Sequence, residues 1–230
     1  MINLKCSAKF LIHKATGSFP LLFFRKAANT FRWAVQIQIW LMSKKEIRNY
    51  DAKIWKEGKR LSTDLYEKMD ETGDKLIDAI TSFAKPDERI LDLCCNQGRF
   101  LLELRNRGFQ KLFGFGIMES AVKKLYDNPK YNSEFIQVEL CLAQDYFIQK
   151  NNNAFDWAIT HGATIECIHP EFDIFKELSR TVQKGLVFLL NENGHKYPRF
   201  YRYLAQKNGF RVVSAKKIKH NHTLLVMIKP

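Results

Sequence analysis

The sequence predicts an α/β fold built on a mostly parallel sheet that ends in an antiparallel hairpin. Residues 88–122 combine a short apolar run, a polar turn, apolar residues at helical spacing and a second apolar run. Two strands joined by so short a helix require a parallel crossover. The chain ends in two β-rich runs, residues 210–218 and 222–228, and the short polar turn between them is typical of a hairpin.

The first unit locates the place where a ligand is expected. It divides into a predicted strand at 89–93, a turn at 94–98, a helix at 99–107 and a strand at 112–117. Gly108 follows the helix, as a residue that ends a helix in the left-handed conformation would. Ligands of parallel sheets bind at the carboxyl ends of the strands, so the turn is the first candidate site.

The rest of the chain continues this alternation. We predict a helix at 120–126, a strand at 134–141, a helix at 143–148, a strand at 155–160, a helix at 172–181 and a strand at 186–190. Before the sheet, residues 44–83 are charged and helical in pattern, with an N-cap expected at 62–64. The predicted divisions are an N-terminal extension at 1–43, a helical cap at 44–84 and the α/β domain at 85–230.

Residues 92–98 read Asp-Leu-Cys-Cys-Asn-Gln-Gly and resemble the first motif of the class I S-adenosylmethionine-dependent methyltransferases. In that motif an acidic residue precedes alternating glycines, and a small-molecule branch of the family reads Gly-Cys-Asn-x-Gly-Arg. The resemblance extends over about residues 85–228. It implies a Rossmann-like, seven-stranded, mostly parallel sheet with a C-terminal antiparallel hairpin and flanking helices, and S-adenosylmethionine as the cofactor.

The resemblance also implies which residues of the turn lie beside the methionine and ribose of the cofactor: Asp92, Cys94, Asn96 and Gly98. Cys94 occupies the position of a family glycine, where a Cβ atom would intrude on a close backbone approach. At the end of the second strand the family has an acid that holds the ribose hydroxyls. This chain has Gly116 there, and Glu119 is the nearest acid.

Further cofactor contacts are implied at the next two strand ends. Ala143 and Asp145 begin the helix that faces the adenine in the family, although a simple helix cap is an equally good interpretation of this segment. Thr160 ends the predicted fourth strand and completes the implied cofactor set.

The acceptor end of the site is implied by two loop segments. After the fourth strand, Ile-Glu-Cys-Ile-His-Pro resembles a Leu-Glu-His-Ile-His-Pro segment of the same branch, which lies over the methyl group. Glu166, His161 and His169 are therefore the candidate proton acceptors. After the fifth strand, Glu-Asn-Gly-His-Lys-Tyr-Pro-Arg resembles the branch's loop, which makes Arg199 and Tyr197 the candidate substrate-binding residues, with Arg199 holding a carboxylate or phosphate.

The net charge of +13 is distributed unevenly. Residues 1–45 contain eight Lys/Arg residues and no acid, which leaves 29 basic and 24 acidic residues, or +5, for the remainder. A body of that charge is an ordinary surface and argues against nucleic-acid binding. The longest uncharged run of the extension, residues 33–43, has 11 residues and is too short to span a bilayer.

Four interpretations of the extension stay open: a peripheral membrane anchor, an organellar presequence, a cover packed on the domain, or translation that begins at Met42. Five cysteines without CxxC spacing indicate reduced thiols and an intracellular, cytoplasmic setting. The isolated pairs Cys167/His169 and His220/His222 are interpreted as structural, so no metal is expected. The sequence does not fix the oligomeric state.

The function predicted from these residues is methyl transfer to a small polar molecule. Cys94 and Gly116 favour an alternative, a catalytically inactive partner subunit, and the basic extension favours a nucleic-acid methyltransferase. A nicotinamide-dependent oxidoreductase shares the fold type, but its GxGxxG turn is absent from the sequence.

Overall fold

A computed structural model describes residues 69–162, 165, 168, 172–191, 199–219 and 222–230. Helices and strands alternate within these ranges. In chain order they are α1 (Glu71–Phe83), β1 (Arg89–Asp92), α2 (Arg99–Asn106), β2 (Lys111–Gly116), α3 (Glu119–Tyr126), β3 (Ile136–Leu140), α4 (Ala143–Ile148), β4 (Phe155–His161), α5 (Ile174–Thr181), β5 (Val182–Asn191), α6 (Tyr201–Lys207), β6 (Arg211–Lys219) and β7 (His222–Ile228).

The strands form one seven-stranded sheet in the order β3-β2-β1-β4-β5-β7-β6. Strands β1 to β5 are parallel, and β7 runs antiparallel to both β5 and β6. This confirms the predicted seven-stranded, mostly parallel sheet with its terminal hairpin. The strand order reverses between β1 and β4, whose carboxyl ends are therefore where a ligand of this sheet type is expected.

Two apolar clusters cover the two faces of the sheet. One contains α1 and α2 side chains packed on alternate residues of the strands, including Ile90 of β1. The other contains side chains of α4, α5 and α6, together with Leu91 of β1. Because successive residues of a strand point to opposite faces, Ile90 and Leu91 mark the two sides of a sheet that is buried between helical layers.

Two helices begin later than the sequence pattern predicted. The helical pattern before the sheet included Met69, but α1 begins at Glu71, because the Asp70 side chain accepts a hydrogen bond from the Gly73 N–H and caps the helix there. Helix α5 begins at Ile174 rather than at residue 172, because Asp173 caps it by accepting from the Lys176 N–H. In both cases an Asp N-cap fixes the helix start.

Strand β5 is longer than predicted and follows α5 without a loop. The prediction began at residue 186, since the exposed residues Gln183 and Lys184 interrupt the apolar run. The observed strand begins at Val182, which pairs with Phe155 of β4. Lys184 faces outward and donates to the Glu88 carboxylate, so a polar side chain at this position is compatible with a strand.

Helix α1 belongs to the same core as the sheet. Its buried residues Leu76, Ile77 and Ile80 join the cluster that covers β1 and β4. Across the described ranges, no helix is both long enough and apolar enough to cross a membrane. The extension at 1–43 and most of the predicted cap lie outside the described residues.

Candidate functional site

The turn between β1 and α2 keeps the backbone shape of a glycine-rich loop with only one glycine. Cys94, Asn96 and Gly98 have φ angles of 54°, 53° and 68°, all in the left-handed region. This conformation is about 1–2 kcal/mol unfavourable for a non-glycine residue, and asparagine adopts it more readily than most others. The Cβ of Cys94 therefore does not prevent the turn from forming.

Neighbouring strands and helix α3 hold the turn in place. The N–H of Cys95 donates to Phe115 O of β2 at 2.9 Å, and the N–H of Leu93 donates to Ile159 O of β4 at 3.0 Å. At Gly98, an added Cβ would lie 2.7 Å from Leu125 Cδ1 of α3. Gly98 is thus required by packing as well as by its φ angle.

Three buried polar side-chain atoms have no hydrogen-bond partner in the described part of the chain: Asp92 Oδ2 at the end of β1, Asn96 Oδ1 in the turn, and Thr160 Oγ1 near the end of β4. Asp92 ends β1 and pairs in register with Ile159 of β4, one residue before Thr160. An unsatisfied buried polar group costs about 1–3 kcal/mol. Such groups at the carboxyl ends of β1 and β4 are what a polar ligand would satisfy.

The environment of Asp92 favours the protonated form of its carboxyl group. Burial raises the pKa of its carboxyl group to about 8, although the nearby Arg99 guanidinium acts in the opposite direction. A positive charge brought next to this carboxyl group would favour its ionised form. Cation binding at Asp92 is therefore coupled to loss of a proton at neutral pH.

His161, a predicted proton acceptor, is the last residue of β4 and is half-buried. The Thr72 hydroxyl donates to Asp70 Oδ1 at 2.8 Å, so His161 Nε2, 2.9 Å from Thr72 Oγ1, is the donor in that pair. The other ring nitrogen, Nδ1, accepts from Arg99 Nη2 at 3.4 Å. Burial and the Arg99 charge lower the pKa of His161 to about 4, which keeps the ring neutral at physiological pH.

Arg99, the first residue of α2, is not among the site residues predicted from the sequence. Its guanidinium contacts His161 and lies over the Phe100 ring at 4.6 Å. It thereby joins the turn to the carboxyl end of β4. The available signal was its position directly after Gly98, where the resembled motif also has an arginine.

The carboxyl ends of β2 and β3 hold the other predicted cofactor residues. Gly116 ends β2, and its carbonyl accepts from the Cys141 N–H at 2.8 Å. Among the described residues, a Cβ at Gly116 would meet only Val122 Cγ2, at 3.5 Å, so a Cβ atom has room there. Glu119, the nearest acid, is exposed at the start of α3.

At the start of α4, Ala143 is buried and Asp145 is half-buried in the first turn. The Cys141 thiol nearby has its pKa raised to about 11, chiefly by burial, so it is protonated at neutral pH. Within the described ranges, no three side chains of the metal-binding types are grouped so that they could hold an ion.

Arg199 was predicted to hold an anionic substrate. In the structure its guanidinium is buried and donates a hydrogen bond to the Ile168 carbonyl. It therefore joins the segment that precedes α6 to the segment that follows β4. Tyr197, Glu166 and His169 lie outside the described residues, and their roles stay predictions.

The sequence matches no protein-family model and no curated protein. Its structure resembles the magnesium protoporphyrin IX methyltransferase of Synechocystis with bound S-adenosylmethionine, at 12% identity and a TM-score of 0.60, over 78% of this chain and 97% of that one. It also resembles a putative S-adenosylmethionine-dependent methyltransferase from Listeria monocytogenes, at 16% identity and a TM-score of 0.56, over 68% and 99% of the two chains.

A third similar structure is the Haloferax volcanii complex of the Trm112 methyltransferase activator with a putative methyltransferase, at 12% identity and a TM-score of 0.58, over 82% and 98% of the chains. The protein therefore has the fold of the S-adenosylmethionine-dependent methyltransferases. At these identities the likeness shows the fold alone. The [4+2]-cyclase SpnF, at 13% identity and a TM-score of 0.56 over 69% and 81% of the chains, has the same fold.

Proposed function

We propose that this chain binds S-adenosylmethionine at the carboxyl ends of β1 and β4 and transfers its methyl group to a small polar molecule. The observation that carries the proposal is the set of three buried, unpartnered polar atoms of Asp92, Asn96 and Thr160 within the described part of the fold. Buried polar side-chain atoms nearly always have a hydrogen-bond partner, so three exceptions in and beside the carboxyl ends of β1 and β4 indicate a ligand there.

The residues present fit the cofactor. The Asp92 carboxylate can accept a hydrogen bond from the cationic amine in the methionine part of S-adenosylmethionine. The Asn96 carbonyl oxygen and the Thr160 hydroxyl can form hydrogen bonds with other polar groups of the cofactor. The left-handed turn from Cys94 to Gly98 brings backbone close to the same place. These contacts would satisfy the atoms that the protein leaves without partners.

The ribose end of the site departs from the resembled family. Gly116 offers no carboxylate to the ribose hydroxyls, and we propose that Glu119, three residues further along, accepts from them instead. We also propose that Ala143 and Asp145 face the adenine. These assignments follow from their positions at the carboxyl ends of β2 and β3.

The bound cofactor supplies a methyl group on a positively charged sulfur, which is already an excellent leaving group. The protein's task is then to align the acceptor and to exclude water. We propose that Glu166, His169 or His161 takes the acceptor's proton, with Tyr197 and Arg199 beside the acceptor. Because His161 already bonds to Thr72 and Arg99 through its two ring nitrogens, Glu166 and His169 are the stronger choices.

Calorimetric titration of the full chain with S-adenosylmethionine and S-adenosylhomocysteine tests the proposal, with two matched threonine variants. Thr160→Val removes a buried hydroxyl that has no partner in the described residues, and Thr181→Val removes one that donates to Glu177 O at 2.8 Å. We expect Thr160→Val to weaken cofactor binding by about fivefold to tenfold, since one hydrogen bond is lost, and Thr181→Val to leave it unchanged. Binding of neither ligand by folded wild-type protein would contradict the proposal.

The absence of an acid at Gly116 favours a second candidate, a methyltransferase-like partner subunit without activity of its own. This candidate also predicts cofactor binding, but no methyl transfer to any acceptor. Transfer of a labelled methyl group to a component of a cell extract by the purified chain would exclude it.

A further inference from the structure

A polar cleft of about 320 Å³ opens on the surface between α2 and α3. It is lined by Gln97, Arg99, Leu102, Lys124, Asp127 and Asn128. Its volume is in the range of small-molecule sites. None of the functions assigned above uses this cleft.

The lining of the cleft suits an anionic group that also carries hydrogen-bond donors. Arg99 and Lys124 supply two positive charges, and the amides of Gln97 and Asn128 supply uncharged donors. Asp127 is the single carboxylate among the described residues that line the cleft. It can accept from hydroxyl or amino groups of a ligand whose phosphate or carboxylate is held by the two cations.

The cleft is connected to the proposed methyl-transfer site through one residue. Arg99 lines the cleft, and its Nη2 atom also lies 3.4 Å from Nδ1 of His161 at the end of β4. Gln97, another lining residue, belongs to the turn that holds Asn96 and Gly98. A ligand held in the cleft would therefore lie next to the turn.

We propose that this cleft binds a phosphate or carboxylate group of the methyl acceptor, which is thus an anionic small molecule. This inference rests on the proposed function, because it names the substrate class for the same site. It assigns the recognition of the anion to Arg99 and Lys124. Arg199, the arginine that the sequence suggested for this task, is buried against the Ile168 carbonyl.

The experiment is calorimetric titration of the full chain with inorganic phosphate and with acetate at constant ionic strength. Lys124→Gln removes a cleft charge, and Lys123→Gln removes the neighbouring exposed charge of α3, which does not line the cleft. One charge at about 4 Å in a solvated site is worth about 1 kcal/mol, or about fivefold in affinity. We expect Lys124→Gln to weaken phosphate or acetate binding about fivefold and Lys123→Gln to change it less than about twofold.

A second pair of variants tests whether removal of a negative charge from the cleft strengthens anion binding. Asp127→Asn removes the cleft carboxylate, and Glu134→Gln removes an exposed carboxylate on the loop before β3. We expect Asp127→Asn to strengthen anion binding by up to about fivefold, while Glu134→Gln leaves it unchanged. Equal effects within either pair would show that overall surface charge determines binding and would overturn the inference.

Two further results separate this inference from the proposed function. If the wild-type chain binds S-adenosylmethionine but neither phosphate nor acetate, the inference that the cleft binds an anion is overturned and the proposed function stands. If the anions bind with the expected variant pattern but S-adenosylmethionine does not, the proposed function and the acceptor role are overturned together. Binding of a single-stranded oligonucleotide that weakens equally in the two lysine variants would favour a polyanionic partner and overturn the small-molecule acceptor.

Discussion

Thr72 and His161, which are 89 residues apart in the sequence, are joined by a hydrogen bond of 2.9 Å between Oγ1 and Nε2. The bond links the first turn of α1 to the carboxyl end of β4. Because Arg99 donates to the other ring nitrogen, His161 also connects this turn to the start of α2. One neutral imidazole therefore holds together three elements that surround the candidate site.

This arrangement predicts a pH-dependent loss of stability on the acid side. Burial lowers the pKa of folded His161 to about 4, below its unfolded value of about 6.5. Its contribution to stability is therefore complete above pH 6.5 and is lost as the pH falls toward 4. We expect the wild type to lose about 2 kcal/mol from this group between pH 7.5 and 5.

His161→Phe keeps a ring beside Phe100 but cannot titrate. The variant is expected to be less stable than the wild type at pH 7.5, because it lacks both hydrogen bonds, and to lose less stability on acidification. Urea unfolding at the two pH values measures both effects. If the variant loses as much stability as the wild type between pH 7.5 and pH 5, His161 is not the titrating group.

The raised pKa of Asp92 predicts that cofactor affinity depends on pH. Its pKa is raised to about 8 by burial, and a cationic ligand requires the ionised form. Affinity for S-adenosylmethionine should therefore be about tenfold weaker at pH 6 than at pH 7, a range in which the cofactor's amine stays protonated, with a proton released on binding. Titration in buffers of different ionisation enthalpy measures that proton.

Asp92→Asn is the control for this effect, since it keeps the side-chain shape and removes the charge. The variant should bind the cofactor weakly and without this pH dependence. It should also be more stable than the unliganded wild type at pH 8, because an unfolded Asp ionises above about pH 4 while the buried one resists ionisation. Full cofactor affinity in Asp92→Asn would remove this residue from the site.

Cys94→Gly tests the strain in the turn. Cys94 has a φ angle of 54°, which costs a non-glycine residue about 1–2 kcal/mol, whereas glycine loses about 0.5–1 kcal/mol of conformational entropy. We expect the variant to be more stable by up to about 1 kcal/mol, measured by urea unfolding. The matched control is Gly108→Ala, which places a Cβ at a φ angle of 91° in open space and should be destabilising. A destabilised Cys94→Gly protein would mean that thiol packing outweighs the strain.

Gly116→Asp tests whether the missing ribose acid limits cofactor affinity. The Cβ atom of the new side chain would meet Val122 Cγ2 at 3.5 Å, an ordinary contact, so the backbone should tolerate a side chain there. A carboxylate that accepts from the ribose hydroxyls should tighten S-adenosylmethionine binding by about tenfold or more, because a charged hydrogen bond contributes about 1.5–3 kcal/mol. Gly114→Asp is the contrasting variant, since a Cβ there would lie 2.8 Å from Cys95 Sγ and should disturb the core. Unchanged affinity in folded Gly116→Asp would place the ribose elsewhere.

The sequence predicted the parts of this structure that depend on local pattern. The alternation of apolar runs and helical spacing located the strands, and the turn at 94–98 located the candidate site. The link between Thr72 and His161 could not be predicted in this way, because contacts between distant side chains leave no periodic signal. The same reason hid the burial of Arg199 against Ile168.

Helix starts were missed for a different reason. Asp70 and Asp173 cap the two helices in the structure, but the apolar periodicity from which the helices were predicted continues past both residues. A single side-chain hydrogen bond to a backbone N–H decides where each helix begins. Periodicity alone does not contain that information.

The turn that carries Cys94 and Asn96 has a consequence for how such sites are found. A sequence comparison with the alternating glycines of the resembled first motif counts mismatches at both positions. The backbone there nevertheless keeps the left-handed angles that glycines would supply. What is retained along this chain is a sequence of dihedral angles, and amino-acid identity is only one of the ways to specify it.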